Sequence, residues 1–287
     1  MRASIVAWCL SLLVSAAPAA AEWRSETFRS PSLAADVAVA VHLPPSYASG
    51  RGDFPAVYAL HGLFEGAGFW ERRGLRAQLD ALWAAGALPE FVVVTVDGGN
   101  SFFVNGPLGR YEDLVLDTVA WAEGHLRLRR GRDQRGLWGV SMGGYAGLRL
   151  ALHRPAEFGA VVTHSAMLLE RPPTREAGAG RWQMEAFRRA FGEPIDARLW
   201  DAADPLALAA AAPASALPAL RFDCGADDRY GLFAGNRRLH ELLLGRGVAH
   251  EFELPPGDHG YDYVRGVFER GLRFLAARWA PAKAGAR

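Results

Sequence analysis

The 287-residue chain carries 32 basic and 31 acidic side chains, a formal net charge of +1. That balance removes the electrostatic footprint expected of a protein that grips nucleic acid or an anionic membrane surface. Half of the residues are hydrophobic and 22% are charged, the composition of a globular chain with a sizeable core and not of a disordered one.

The first 21 residues stand apart. "MRAS" supplies one positive charge, "IVAWCLSLLVSA" an apolar run, and "APAAA" small residues in A-x-A spacing before Glu22. This pattern predicts a secretory signal peptide over 1–21, cleaved after Ala21, and the run is too short to span a bilayer comfortably. The expected mature chain is one domain over 22–287, exported to the periplasm or secreted, with no membrane span. Cys9 leaves with the signal. Cys224 alone cannot form an intramolecular disulfide, so the core must hold the fold.

Residues 35–43, "ADVAVAVHL", alternate as a strand does. "AVYAL" (56–60) is a short apolar run ending at His61-Gly62, and helical spacing follows over 69–85. "EFVVVTV" (90–96) is a second run, ending at Asp97-Gly98-Gly99. A helix is expected from Tyr111 to about Leu128. "GLWGV" (136–140) ends at Ser141, and "YAGLRLALH" reads as a helix closed by Arg154-Pro155. "GAVVTHSA" (159–166), "ALRFDCG" (219–225) and "AHEFELP" (249–255) complete the runs. The closing "YVRGVFERGLRFLAARWA" places Val264, Val267, Phe268, Leu272, Leu275 and Trp279 on one helical face, a face for the core.

Short runs rich in Val and Leu, separated by helix-length segments, predict an α/β fold with a mostly parallel central sheet and helices on both faces. In such sheets functional groups gather at the carboxyl ends of the strands. His61, Asp97, Ser141, Ser165 and Asp228 all fall there. Residues 166–215 interrupt the alternation. They read as a lid-like insertion over the strand ends, with packing on the flank as the alternative.

Gly139-Val140-Ser141-Met142-Gly143 fits G-x-S-x-G, a weak signal alone in a chain with 32 glycines. Its setting strengthens it. A short strand, a tight turn and a helix form a nucleophile elbow, with the helix N-terminus beneath the position of a developing oxyanion. A serine nucleophile needs a base, and the base an orienting acid, in the chain order serine, acid, histidine. Of His153, His164, His240, His250 and His259, only His259 follows the last strand in a loop, "PPGDHGYDY". The acid should follow the fifth run. Asp223 lies within the strand. Asp228, three residues after Gly225, is preferred to Asp227, which stays open. The oxyanion donors expected are the backbone N–H groups of Met142 and of Leu63. No H-E-x-x-H, no Cys/His cluster and no G-x-G-x-x-G after a strand is present, so no metal or organic cofactor is expected.

Together "YALHG", "RYEDLVLD", "WGVSMGGYAGLRLAL", "DPLALA", "DCGADD" and "LPPGDHGYDY" resemble an esterase branch of the α/β-hydrolase superfamily. That branch holds esterase D, tributyrin and feruloyl esterases, siderophore esterases and the mycobacterial mycolyltransferases. The resemblance covers residues 35 to 278. It implies the triad Ser141, Asp228 and His259 with Leu63 and Met142 as oxyanion donors, and its common G-x-x-D favours Asp228 over Asp227. The family often has Trp after the catalytic histidine. Here Gly260-Tyr261 stands instead, which makes Tyr261 a candidate substrate contact. "DGGNSFFVNG" (97–106) resembles a loop lining the acyl pocket, so Phe102, Phe103 and Trp70 are candidate apolar walls, each with a core position as the alternative. The function implied is an exported serine esterase acting on a small-molecule ester. The alternatives are an acyltransferase that passes the acyl group to a sugar or other alcohol, and a non-catalytic binding protein on the same fold.

Overall fold

The computed structural model describes residues 20–50, 52–173 and 181–279. The signal-peptide expectation falls on residues 1–21, of which 1–19 lie outside the described residues.

The chain opens with an antiparallel pair, β1 (Glu22–Ser30) and β2 (Ala35–Leu43). The apolar pattern does not reveal β1, because this sheet-edge strand buries only Phe28 and Ser30. Next come β3 (Ala56–Leu60), α1 (Phe69–Arg72), α2 (Leu75–Ala84) and β4 (Val92–Val96). The single helix expected over 69–85 is two. Gly74, at φ +77°, ends one and starts the other with a left-handed residue that glycine adopts without strain. A two-residue ribbon, β5 (Asn105–Gly106) with β6 (Gly109–Arg110), leads into α3 (Tyr111–His125). The middle of the chain is β7 (Arg135–Val140), α4 (Met142–His153) and β8 (Ala160–His164). The insertion holds α5 (Arg181–Phe191), α6 (Ala197–Ala203) and α7 (Pro205–Ala211). The chain then runs through β9 (Ala219–Asp223), α8 (Phe233–Gly245), β10 (His250–Glu253) and α9 (Tyr261–Ala276).

Eight strands form one sheet in the order β1-β2-β4-β3-β7-β8-β9-β10. From β4 to β10 every neighbour is parallel; β2 runs antiparallel to both β1 and β4. Every residue of β3, β4 and β8 is buried, which is why these strands read as unbroken apolar runs. Successive side chains point to opposite faces. Tyr58, Leu60 and Leu137 pack with Leu114 of α3 and Leu148 of α4. Val57, Ala59 and Trp138 pack with Leu79 of α2 and with Val264, Phe268 and Leu272 of α9. No described helix is long and apolar enough to cross a membrane.

A buried ion cluster ties α3 to α4. Glu112 accepts from Arg149 at 2.6 Å and from Arg154 at 2.7 Å, and Arg149 also donates to the Phe103 carbonyl at 2.8 Å. Burial alone would raise the Glu112 carboxyl, but the neighbouring guanidinium groups outweigh it and hold the group below the ordinary range.

Candidate active site

Ser141 sits between β7 and α4 at φ 55° and ψ −115°, a left-handed backbone that few side chains tolerate. The turn is forced tight by its glycines. A Cβ on Gly139 would lie 2.2 Å from the Gly143 carbonyl oxygen, and one on Gly143 would lie 2.0 Å from the Leu60 oxygen. Phe64, Phe102, Phe103 and Ser165 are also at positive φ, each in a loop just past a strand's carboxyl end. Strain of this kind collects at functional sites.

His259 lies 3.1 Å from Ser141 Oγ through Nε2 and 2.8 Å from Asp228 Oδ2 through Nδ1. A carboxylate only accepts, so Nδ1 carries the proton and Nε2 is left to accept from the serine hydroxyl. The Asp228 side chain is fully buried, and its Oδ1 accepts the Tyr230 N–H at 2.9 Å. Burial pushes this carboxyl up, but the His259 hydrogen bond and charge and the Tyr230 N–H bring it below its usual value. The structure thus brings Ser141, His259 and Asp228 into one hydrogen-bonded line.

Asp227 points elsewhere. It is exposed and accepts from the Gly257 N–H at 3.4 Å. Its own N–H donates to the Gly257 carbonyl, and Ala226 N–H to the Pro255 carbonyl, so the acid loop and the histidine loop are laced together. Cys224 is a buried free thiol 3.5 Å from Asp228 Oδ2. Burial and the Asp228 charge push it well up, away from thiolate chemistry.

The loop after β3 passes close to the serine, with the Gly62 Cβ position 3.6 Å from Ser141 Cβ. His61 fixes that loop. Its Nδ1–H donates to the Gly62 carbonyl at 2.8 Å and its Nε2 accepts the Gly98 N–H at 3.0 Å. Burial lowers its pKa against the opposing pull of the Gly62 carbonyl and Asp97, and the neutral ring suits both bonds. Leu63 follows in the same loop and lines the cleft; Met142 directly follows Ser141 at the start of α4.

The cleft over Ser141 measures about 420 Å³, within the range of small-molecule sites. Tyr261 lines it, as does Met167 from the start of the insertion. Phe64, Glu65, Arg73 and Tyr230 also line it, and the sequence reading did not single them out. Position was the signal for two of them: Phe64 follows Leu63, and Tyr230 follows Asp228 by two. Tyr230 packs edge-on to His259, ring centroids 4.8 Å apart.

Three expected pocket walls lie elsewhere. Trp70 is fully buried between Trp138 and Phe268 on the α9 side of the sheet. Phe102 stacks on Phe187 of the insertion at 4.5 Å and meets Tyr145 of α4 edge-on. Phe103 packs against His61 at 5.4 Å. All three are core residues because neighbouring rings enclose them before the cleft is reached. Helices α5–α7 join the same packing, with Trp200 against Phe187 and the Tyr145 hydroxyl donating to the Ala203 carbonyl. Among the described residues of the insertion, Met167 reaches the cleft.

Sheet order, elbow and the loops at the strand ends define an α/β-hydrolase fold. A family model described as "Putative esterase" matches residues 30–275, and the chain belongs to this esterase family. Esterase Rv1288 of Mycobacterium tuberculosis is 25% identical over 90% of the chain, which spans 60% of that relative's length. Among solved structures, a ferulic acid esterase superposes with a TM-score of 0.77 at 23% identity, covering 90% of this chain and 99% of that one. An S-formylglutathione hydrolase from Agrobacterium tumefaciens gives 0.72 at 20% identity, covering 90% and 95%.

Proposed function

We propose that this chain is an exported serine esterase that hydrolyses small carboxylic esters through an acyl-enzyme on Ser141. The observation that carries the proposal is the Ser141–His259–Asp228 line beside the cleft. Ser141 Oγ attacks the ester carbonyl while His259 Nε2 takes its proton. Asp228 holds the imidazole in the productive tautomer and stabilises its charged form. The backbone N–H groups of Met142 and Leu63 receive the oxyanion. The alcohol leaves with the proton from His259. Water, deprotonated by the same nitrogen, then attacks the acyl-enzyme and frees the acid and the serine. The substrate enters a cleft with Phe64 and Tyr230 at its wall, both with substantial exposed ring surface.

Release of 4-nitrophenol from acetyl, butyryl and octanoyl esters tests this reading. Ser141→Ala should lower kcat by on the order of 10⁵ to 10⁶. Equal turnover by the variant and the parent chain would remove the serine from the mechanism. Product analysis with an added alcohol separates hydrolysis from acyl transfer. Export is tested on protein recovered outside the cytoplasm, whose N-terminal residue should be Glu22.

A further inference from the structure

Directly below the proposed triad lies a second polar trio that the mechanism does not use. Asp223 ends β9 and His164 ends β8, and the sheet register pairs the two residues. Both side chains are completely buried. His164 Nδ1 lies 2.9 Å from Asp223 Oδ2, and the Tyr263 hydroxyl, in the first turn of α9, donates to Asp223 Oδ1 at 2.6 Å. Two donors thus converge on one carboxylate in the core.

Each member is tied to a different carrier of the triad. The His164 carbonyl accepts the Ser141 N–H at 3.0 Å, which fixes the elbow to the end of β8. Asp223 stands at the root of the loop that reaches Asp228, and its carbonyl accepts the Ser165 N–H at 2.7 Å. Tyr263 follows His259 by four residues. Its ring fills the space below the histidine loop, where a Cβ on Gly257 would come within 2.6 Å of it. Helix α9 also presses on His164, since a Cβ on Gly271 would lie 3.2 Å from that imidazole.

Net stability is a weak reason to keep such a trio. Apolar side chains of the same volume commonly replace buried charged pairs with no loss. Hydrogen bonds, unlike apolar contacts, have preferred lengths and directions, so they can fix the relative heights of three separate segments.

We infer that the His164–Asp223–Tyr263 network is a positioning element that holds the elbow, the acid loop and the histidine loop at the separations the Ser141–His259–Asp228 line requires. The inference rests on the proposed esterase reading. None of the three residues touches substrate; they act through the residues they anchor. Loss of the Tyr263 hydroxyl frees the first turn of α9 from β9, and His259 shifts relative to Ser141. A displacement of about 1 Å at a reacting centre can cost on the order of 10² in rate.

The test is Tyr263→Phe, assayed beside the parent chain and Ser141→Ala, with active sites counted by stoichiometric phosphonylation with a fluorophosphonate. The expected result is a kcat per titrated site roughly 10- to 100-fold lower, with KM within about twofold of the parent value. A parental kcat per titrated site overturns the inference, whatever happens to the melting temperature. Should Tyr263→Phe not fold, His164→Leu and His164→Gln decide the matter. Glutamine keeps an N–H for Asp223 and should restore much of the kcat that leucine removes; equal kcat in the two overturns the inference. Activity surviving in Ser141→Ala would instead overturn the esterase reading itself.

Discussion

Where the acid and histidine loops run side by side, backbone meets backbone: a Cβ on Gly225 would stand 2.2 Å from the Gly257 carbonyl oxygen. Along residues 98–106 the contacts are mostly side-chain rings, with Phe102 against Phe187 and Tyr145 and Phe103 against His61. Both regions border the cleft end of the sheet. The first holds a position, Gly225, that admits little besides glycine, because a single added carbon collides with main chain. The second is held mainly by rings, which can repack against one another, even though Phe102 and Phe103 themselves sit at positive φ. A constraint written in backbone contacts leaves glycines and fixed spacings in the sequence; a constraint written in ring packing leaves only aromatic residues, which look alike in a core and in a pocket.

The largest expected effect that sharpens this contrast is at the acid. Asp228→Asn should lower kcat by on the order of 10³ to 10⁴, because the amide no longer holds His259 with its proton on Nδ1. Asp227→Asn, one residue away, should leave kcat within about twofold, since Asp227 only braces the Gly257 N–H. Similar losses in both variants would mean that the histidine changes its acid partner in solution.

Phe102→Ala is the counterpart in the ring-packed region. It should cost about 3–5 kcal/mol of stability, read from urea unfolding, and leave the preference among acetyl, butyryl and octanoyl esters unchanged. Phe64→Ala should do the reverse, since this residue is 68% exposed at the cleft. Stability should move by no more than about 0.5 kcal/mol while the acyl-chain preference shifts. A changed preference in Phe102→Ala would restore that residue to the pocket wall.

The smallest effect is a change in shape of the stability curve. The Glu112 carboxyl is held below its ordinary value in the folded chain. Its stabilising share is therefore present above the unfolded carboxyl pKa, about 4.3, and is lost as pH falls through the lower folded value. Denaturant midpoints measured from pH 6 down to pH 3 should show this loss in the parent chain. Glu112→Gln should be less stable at pH 6, because Arg149 stays buried without its carboxylate, and should show a shallower decline toward pH 3. Parallel curves would show that Glu112 titrates alike in both states.

The same contrast explains what was legible in the sequence. The parallel sheet was readable because β3, β4 and β8 are buried on both faces and so appear as unbroken apolar runs. The edge strand β1 was not, since most of its side chains face solvent or lie half-buried and carry no apolar alternation. Gly139, Ser141 and Gly143 announced a tight turn, and Asp228 and His259 stood at fixed places past strand ends. The sequence could not tell that Trp70, Phe102 and Phe103 are enclosed, because that depends on which rings the fold brings beside them. His164 was visible as a strand-end histidine, but its partners Asp223 and Tyr263 lie 59 and about 100 positions further along, joined only by sheet register and the docking of α9.

Ser141 and His259 are separated by 118 positions, and the histidine loop leads directly into α9, which shares one face of the sheet with α1 and α2. A chain emerging from the ribosome thus acquires its serine long before its base. Under the proposed mechanism, a partly made polypeptide carries an inert hydroxyl, and hydrolysis switches on only when α9 docks. Turnover is then a report that synthesis has passed α9 and that this helix has docked.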